Sequence, residues 1–493
     1  MLEADEMLEH LMRRKGVDDA QSDAELPQNR LKRTLTAVDL TALGIGAIIG
    51  AGIFSSTGTA AAGGGEHLGA GPALVVSYVL TAVACGFAAL CYAELASMIP
   101  IAGSAYTYAY VTLGELLAWI IGWDLILEYA VGNVAVAVSW SGYFQAFIEG
   151  FGMHMPDWMI STIDHARSTP GLLEHAPHLF GIPIVFNLPA FAIVALLTVL
   201  LVVGVKESAR VNSVIVAMKI VLVIGFAVVG AFWVQPANWH PFAPNGFAGI
   251  MSGASLIFFS YIGFDAISTT AEEAKNPQRD LPIGMIASLA ICTVLYIGVT
   301  AVLTGMVPAP ELGVADPLAL ALQKNGLGRL AGAFSFGAVI AMTAVLLVFQ
   351  LGQPRIFLSM ARDGLLPPFA AKVHPRFRTP HVTTIITGIA VGGFAMFVDI
   401  NSAIEFTNIG TLFAFVLVSA GVIALRYTDP DRARPFRCPL VPWVPLASIG
   451  CCIALMLPLP FITWMRFVVW MAIGLVIYFT YGIRKSRLRR ARA

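Results

Sequence analysis

Residues 40–62 read LTALGIGAIIGAGIFSSTGTAAA, an apolar run of bilayer length interrupted by Gly44, Gly46, Gly50 and Gly52. At a rise of ~1.5 Å per residue, about 20 residues cross the hydrocarbon core, which puts these glycines near mid-depth. Glycine weakens a helix, and backbone released from helical bonding at that depth is tolerated only where it is buried in protein or lines a cavity. The pattern therefore predicts a membrane span whose middle is unwound. A second interruption, Phe259–Asp265 (FSYIGFD), lies inside a comparably placed apolar run. One interruption is explained equally well by small residues that let helices pack closely. Two at corresponding places in two halves point to the mid-membrane binding site of a secondary transporter.

The rest of the chain agrees with a membrane reading. Of 493 residues, 57% are hydrophobic and 12% charged, whereas a water-soluble globule carries about 25% charge. Apolar runs give twelve expected spans, at 40–62, 72–99, 114–148, 188–204, 212–234, 248–272, 281–306, 329–352, 381–398, 403–425, 440–460 and 463–483. With both termini inside, only Arg167, Lys324, Arg329 and Arg466 of the 30 Lys and Arg fall outside, and Lys219 lies within a span. That bias orients the chain by the positive-inside rule. The polar stretch 1–33 carries no cleavable signal peptide, and residues 2–11 read as a short amphipathic helix.

If the interrupted spans 1 and 6 begin equivalent units, each unit holds five spans. An odd number makes the second unit enter from the opposite side, so the repeats are inverted. The expected fold is all-α and polytopic: a tail at 1–33, one repeat at 34–235, a second at 245–427, two added spans at 438–483 and a basic tail at 484–493. The six cysteines, all but Cys438 within apolar spans, show no disulfide or metal-ligand spacing. His154, His165, His175 and His178 in the outside loop 150–187 invite a metal or pH-sensing reading, but without a tight ligand pattern a solvated loop explains them.

Chemistry is expected at the breaks and at intramembrane charges. The helix restarting near Ile53–Ser55 would aim free N–H groups and the positive end of its dipole at a carboxylate, with Gly50, Ala51 and Gly52 leaving room for it. Carbonyls of Phe259, Ser260 and Ile262 suit an ammonium, so together the breaks describe a pocket for a zwitterion. Asp124, Glu128, Lys219 and Asp265 are costly in a bilayer and so mark function. Lys219 is either a proton carrier or the partner of Glu128 or Asp124 in a static ion pair. Glu128 either lies near substrate, belongs to that pair or takes up a proton. Asp265 either sets the electrostatics of the second break or caps the resumed helix. Among the aromatics, Phe259 is the expected gate.

Four motifs, GIGAIIGAGIF (44–54), GWDLILEYAVG (122–132), SYIGFDAISTTAEEAKNPQRDLP (260–282) and GQPRIFLSMARDGLLP (352–367), together resemble the amino acid-polyamine-organocation superfamily. The resemblance covers about residues 34–430 and is strongest to the cationic amino acid transporter branch with its bacterial members. It implies twelve transmembrane helices in a 5+5 inverted-repeat (LeuT-like) fold with broken helices 1 and 6, and transport of amino acids by alternating access. It also implies that Lys219 takes the place of a sodium ion and links transport to protons. By the same resemblance, the substrate backbone lies against Ile48, Gly50, Ala51, Gly52, Phe259 and Ile262, with Glu128 and Thr343 near its side chain.

The expected protein is thus a bacterial inner-membrane permease importing L-amino acids, neutral ones first and cationic ones as an open alternative, with protons. It is expected to be no enzyme, to need no metal or cofactor beyond the proton gradient, and to bind no nucleic acid. A small membrane subunit beside spans 11 and 12 stays open. The rivals are a cationic amino acid antiporter or facilitator and an amino-acid-binding membrane sensor. An intramembrane enzyme has only the Asp124 and Glu128 dyad to build on.

Overall fold

The computed structural model describes residues 13–14, 33–64, 67–99, 104–169, 171–204 and 209–487. The expected amphipathic helix at 2–11, Lys206 and residues 488–493 lie outside them. Among the described residues, nine helices are long and apolar enough to cross a membrane: Ala37–Ala62 (α1), Gly71–Met98 (α2), Glu115–Glu149 (α3), Asn212–Ala231 (α5), Gly246–Glu273 (α6), Pro277–Met306 (α7), Gly328–Arg362 (α8), Ile400–Thr428 (α10) and Phe461–Lys485 (α12). Three shorter apolar helices, Leu188–Val203 (α4), His381–Phe397 (α9) and Trp443–Met456 (α11), complete a set matching the twelve expected runs one for one. The only paired strands described are His178–Leu179 and Ile182–Pro183, a hairpin in the loop before α4.

The two interrupted helices are interrupted where the sequence predicts. α1 opens on a capping box, in which Thr36 N and Oγ1 both donate to Asp39 Oδ2 (2.9 and 2.7 Å). Its first half, Ala37–Ile48, stops where Ile49 turns extended, and the chain re-enters helix through a wide turn at Gly52–Ser56 before Thr57–Ala62. In α6, the helix Gly246–Ile257 gives way to a tight turn at Phe258–Tyr261, an extended Ile262 and a further tight helix, Asp265–Glu273. Ahead of α1, Leu35 N donates to Glu273 O and Leu35 O accepts from Lys275 N, so the start of α1 is tied to the end of α6.

Packing follows a rule. The breaks of α1 and α6 meet, α2 lies against α7, α3 against α8 and α4 against α9. α5 touches α1, α7 and α8, while α10 touches α6, α2 and α3. Exchanging each helix with the one five places away maps this pattern onto itself. α11 and α12 stand outside the exchange, packed on α10 and on α2 or α3 respectively.

Candidate functional site

α1 is buried from Gly44 to Gly58, across its unwound part, so its released backbone groups need partners within the protein. Lys219 of α5, fully buried, donates from Nζ to Gly46 O (2.6 Å) and Ile49 O (3.0 Å). Tyr296 of α7 donates to Ile48 O (2.9 Å). Beyond the break, Phe54 N donates to Gly50 O (3.3 Å), which restarts the helix, and the N–H groups of its first turn have no earlier turn to bond to. Carbonyls at this break are therefore held by side chains, while the N–H groups of the restart's first turn have no helical acceptor.

The second break faces the first. A Cβ on Gly52 would fall on the Ser260 backbone and 2.8 Å from Ser260 Cβ, so this glycine lets the two unwound segments touch. On the facing segment, Asn408 of α10 donates from Nδ2 to Ser255 O (2.8 Å) and Leu256 O (3.1 Å), the last carbonyls before α6 unwinds. Each break thus has its carbonyls held by a polar side chain from the fifth helix of its own half: Lys219 for α1, Asn408 for α6. Around the junction, Tyr78 Oη lies 2.7 Å from Thr57 Oγ1 and 3.3 Å from Ser260 Oγ, joining α2 to both breaks.

Ile48, Gly50, Ala51, Gly52, Phe259 and Ile262 all sit on these segments and are buried. Of the α8 residues, Val345 faces Gly50, where a Cβ would lie 3.0 Å from Val345 Cγ2. Buried Met342 lies one helical turn before it and accepts from Ser139 Oγ (3.2 Å). Half-buried Thr343 is turned aside: its Oγ1 accepts from Trp140 Nε1 (2.9 Å) and donates to Val339 O (2.7 Å). Next to the breaks, Phe54 packs edge-on against Tyr143 (6.0 Å) and Phe334 (5.9 Å), and Tyr143 donates to Phe54 O (2.6 Å). This aromatic cluster joins α1, α3 and α8, whereas Phe259 lies 5% exposed in the α6 turn.

Three carboxyl groups gather beside the α6 break. Glu128, on a wide turn of α3 at Leu127–Val131, lies in electrostatic reach of Asp265 and Asp124. Wide turns of this kind occur often at functional sites. Asp124 Oδ1 and Oδ2 are buried and accept no hydrogen bond among the described residues, while Glu128 and Asp265 lie close enough to interact directly. One alternative is corrected by the geometry. Lys219 bonds backbone carbonyls, and no described ion pair joins it to Glu128 or Asp124, because the α1 break places acceptors closer to its ammonium. Asp265 is the first residue of the resumed helix, directly after Phe264 at the cap position.

Sequence reasoning missed Tyr296, Asn408, Tyr78 and the aromatic cluster. A single Tyr or Asn in an apolar run carries no signal until its carbonyl partner, far away in sequence, is known. In the loop before α4, His175 and His178 are exposed and His154 Nδ1 lies 3.9 Å from Glu149 Oε1. The His165 side chain is outside the described residues. No group of three His, Cys, Asp or Glu that could hold a metal is found among the described residues.

Residues 35–481 match the family described as amino acid permease. The chain is 48% identical to the methylthioribose transporter of Bacillus subtilis (strain 168), over 95% of this chain and 97% of that protein. It is also 48% identical to the branched-chain amino acid permease BcaP of the same organism, over 97% of this chain and 99% of that protein. With the vacuolar cationic amino acid transporter 4 of Arabidopsis thaliana it shares 40% identity over 85% of this chain and 68% of the other. Matches of this extent, on a chain of apolar helices with two facing breaks, make it a multi-pass membrane protein that belongs to the amino acid permease family.

Proposed function

We propose that this permease is a proton-coupled importer of neutral, apolar L-amino acids that works by alternating access. All twelve apolar helices cross the bacterial inner membrane, both termini are cytoplasmic, and helices 1–5 and 6–10 form two inverted repeats in a LeuT-like fold. The exchange symmetry of the helix contacts supports that topology. The observation that carries the function is Lys219, which holds Gly46 O and Ile49 O at the break where a substrate carboxylate would be received.

In this reading the carboxylate meets the N–H groups at Gly50–Ile53, and the amine meets carbonyls of the two breaks near Phe259 and Ile262. Protonated Lys219 holds the α1 break in one shape, and losing the proton removes a donor and frees that break to move. The apolar faces of Met342 and Val345 toward the first break favour an aliphatic substrate side chain. Glu128, Asp265 and Asp124 supply the negative field on the α6 side. No metal or organic cofactor enters this scheme; the proton gradient is the driving force.

The relative named for methylthioribose matches as well as the one named for branched-chain amino acids, so both substrates belong in the test. The purified protein in liposomes should accumulate labelled leucine and alanine when an inward proton gradient is imposed, and neither methylthioribose nor arginine. Methylthioribose uptake alone would overturn the substrate. Arginine exchange indifferent to the gradient would replace the symporter with a cationic antiporter.

A further inference from the structure

The end of α2 is bound to the loop between α10 and α11. Glu94, fully buried near the end of α2, accepts two hydrogen bonds from Arg426 (Nε 3.1 Å, Nη2 2.7 Å), and its Oε1 lies 3.3 Å from Arg434 Nε. Its Oε2 also accepts from the backbone N–H of Cys438 (2.7 Å), while Phe436 N donates to Ser97 Oγ (3.3 Å). Cys91 precedes Glu94 by three residues and so lies on the same helix face, one turn along. This places its thiol on the side of α2 that faces Cys438, whose backbone N–H is held by Glu94, and the two thiols lie close enough to act on each other electrostatically. Both cysteines are free.

We propose that Cys91 and Cys438 form a redox-sensitive pair, oxidised by hydroperoxides to a disulfide that staples α2 to the α10–α11 loop and arrests the transport cycle. Such pairs inside a reducing compartment are usually sensing rather than structural. The neighbouring Cys91 thiol, assisted by the Arg426 guanidinium, holds the Cys438 thiol below its ordinary range against the opposing effects of burial and Glu94. A thiol so placed supplies the nucleophilic thiolate. Cys438 is 3% exposed, but Arg437, Pro439 and Leu440 around it are exposed, so a small peroxide needs little loop movement to reach it.

The chemistry balances. The Cys438 thiolate attacks the peroxide O–O bond, giving a sulfenic acid and, after protonation, water or an alcohol. The Cys91 thiol displaces that hydroxyl as water and forms the S–S bond. The two sulfurs lose two electrons and the peroxide gains them. Ion pairs at Glu94 can part during a cycle, whereas a disulfide cannot.

The arrest, though not the disulfide, rests on the alternating-access reading, so the test separates them. The full-length protein in liposomes is treated with hydrogen peroxide, alkylated with N-ethylmaleimide and digested for peptide mass spectrometry; leucine uptake is measured in parallel. A linked Cys91–Cys438 peptide pair is expected, with uptake falling about tenfold and returning on dithiothreitol. Cys91→Ser and Cys438→Ser, each keeping Cys85, Cys292, Cys451 and Cys452, should transport normally and resist peroxide. Absence of the linked peptide, equal sensitivity of the serine variants, or a linked protein with undiminished uptake would each overturn the proposal. If the reduced protein takes up no leucine at all, the transport reading fails while the peptide map still decides the thiol pair.

Discussion

Gly52 and Gly46 look alike in the sequence, yet their surroundings make opposite predictions. A methyl on Gly52 meets the Ser260 main chain, which cannot swing away, while a methyl on Gly46 meets Val216 Cγ2 at 2.8 Å, the end of a side chain. Overpacking costs about 1–3 kcal/mol where the surroundings are rigid. At Gly52 that strain is relieved by pushing the two breaks apart. Gly52→Ala should therefore weaken leucine binding about tenfold or more, read as a lost ligand-induced rise in melting temperature, and Gly46→Ala should weaken it much less. Equal effects of the two would mean that the contact between breaks does not shape the site. Tyr296→Phe leaves Ile48 O without its donor. The expected loss is about 1–3 kcal/mol of stability, measured as a lowered unmelted fraction at fixed detergent and temperature.

Among elements, the two donors that hold the breaks differ in one respect: Lys219 can change charge and Asn408 cannot. Asn408→Leu keeps the volume and removes the donor to Ser255 O and Leu256 O. It should raise the leucine KM while leaving the ratio of uptake with and without a proton gradient unchanged. A loss of gradient dependence in this variant would make both breaks part of the coupling. The loop between α7 and α8 offers a pH test. Asp316, at the start of the helix Pro317–Lys324, is pushed up to about 7 by burial, with Glu149 adding to the effect. Because its unfolded value is about 3.9, the folded state binds this proton more tightly. Its contribution to stability is present below about pH 4, is lost as pH rises through about 7, and is constant above. Asp316→Asn should thus gain melting temperature over the parent protein near pH 8 and little near pH 4; a gain independent of pH would assign the effect to packing. The helices themselves were legible, because apolar runs and glycine breaks are local patterns. Their partners were not: Asn408 lies about 150 residues from the carbonyls it serves, and nothing in its neighbourhood distinguishes it from a packing residue.

For the whole molecule, the exchange symmetry of the contacts places α5 on α1 as it places α10 on α6, and this is where an ionisable donor in only one half acquires meaning. The odd count of five spans per unit is what makes an inverted arrangement the expectation from the sequence. What could not be read was that Lys219 points to the broken helix of its own repeat rather than to an acid on α3, since hydropathy sets depth but not rotation about the helix axis. A static ion pair would have tied α5 to α3 and left the α1 break alone. Bonded instead to Gly46 O and Ile49 O, the ammonium links proton occupancy to the shape of the break on which the proposed carboxylate site is built. Lys219→Met keeps the length of the side chain and removes both the charge and the donors. The variant should fold with reduced stability, leaving two carbonyls unpaired at about 1–3 kcal/mol each before relaxation, and should lose gradient-driven accumulation of leucine entirely. If the break still cycles without its donor, leucine exchange across the liposome membrane persists; if the break collapses, exchange is lost as well. Either result keeps Lys219 at the centre of coupling, whereas normal accumulation against a gradient in the folded variant would remove it.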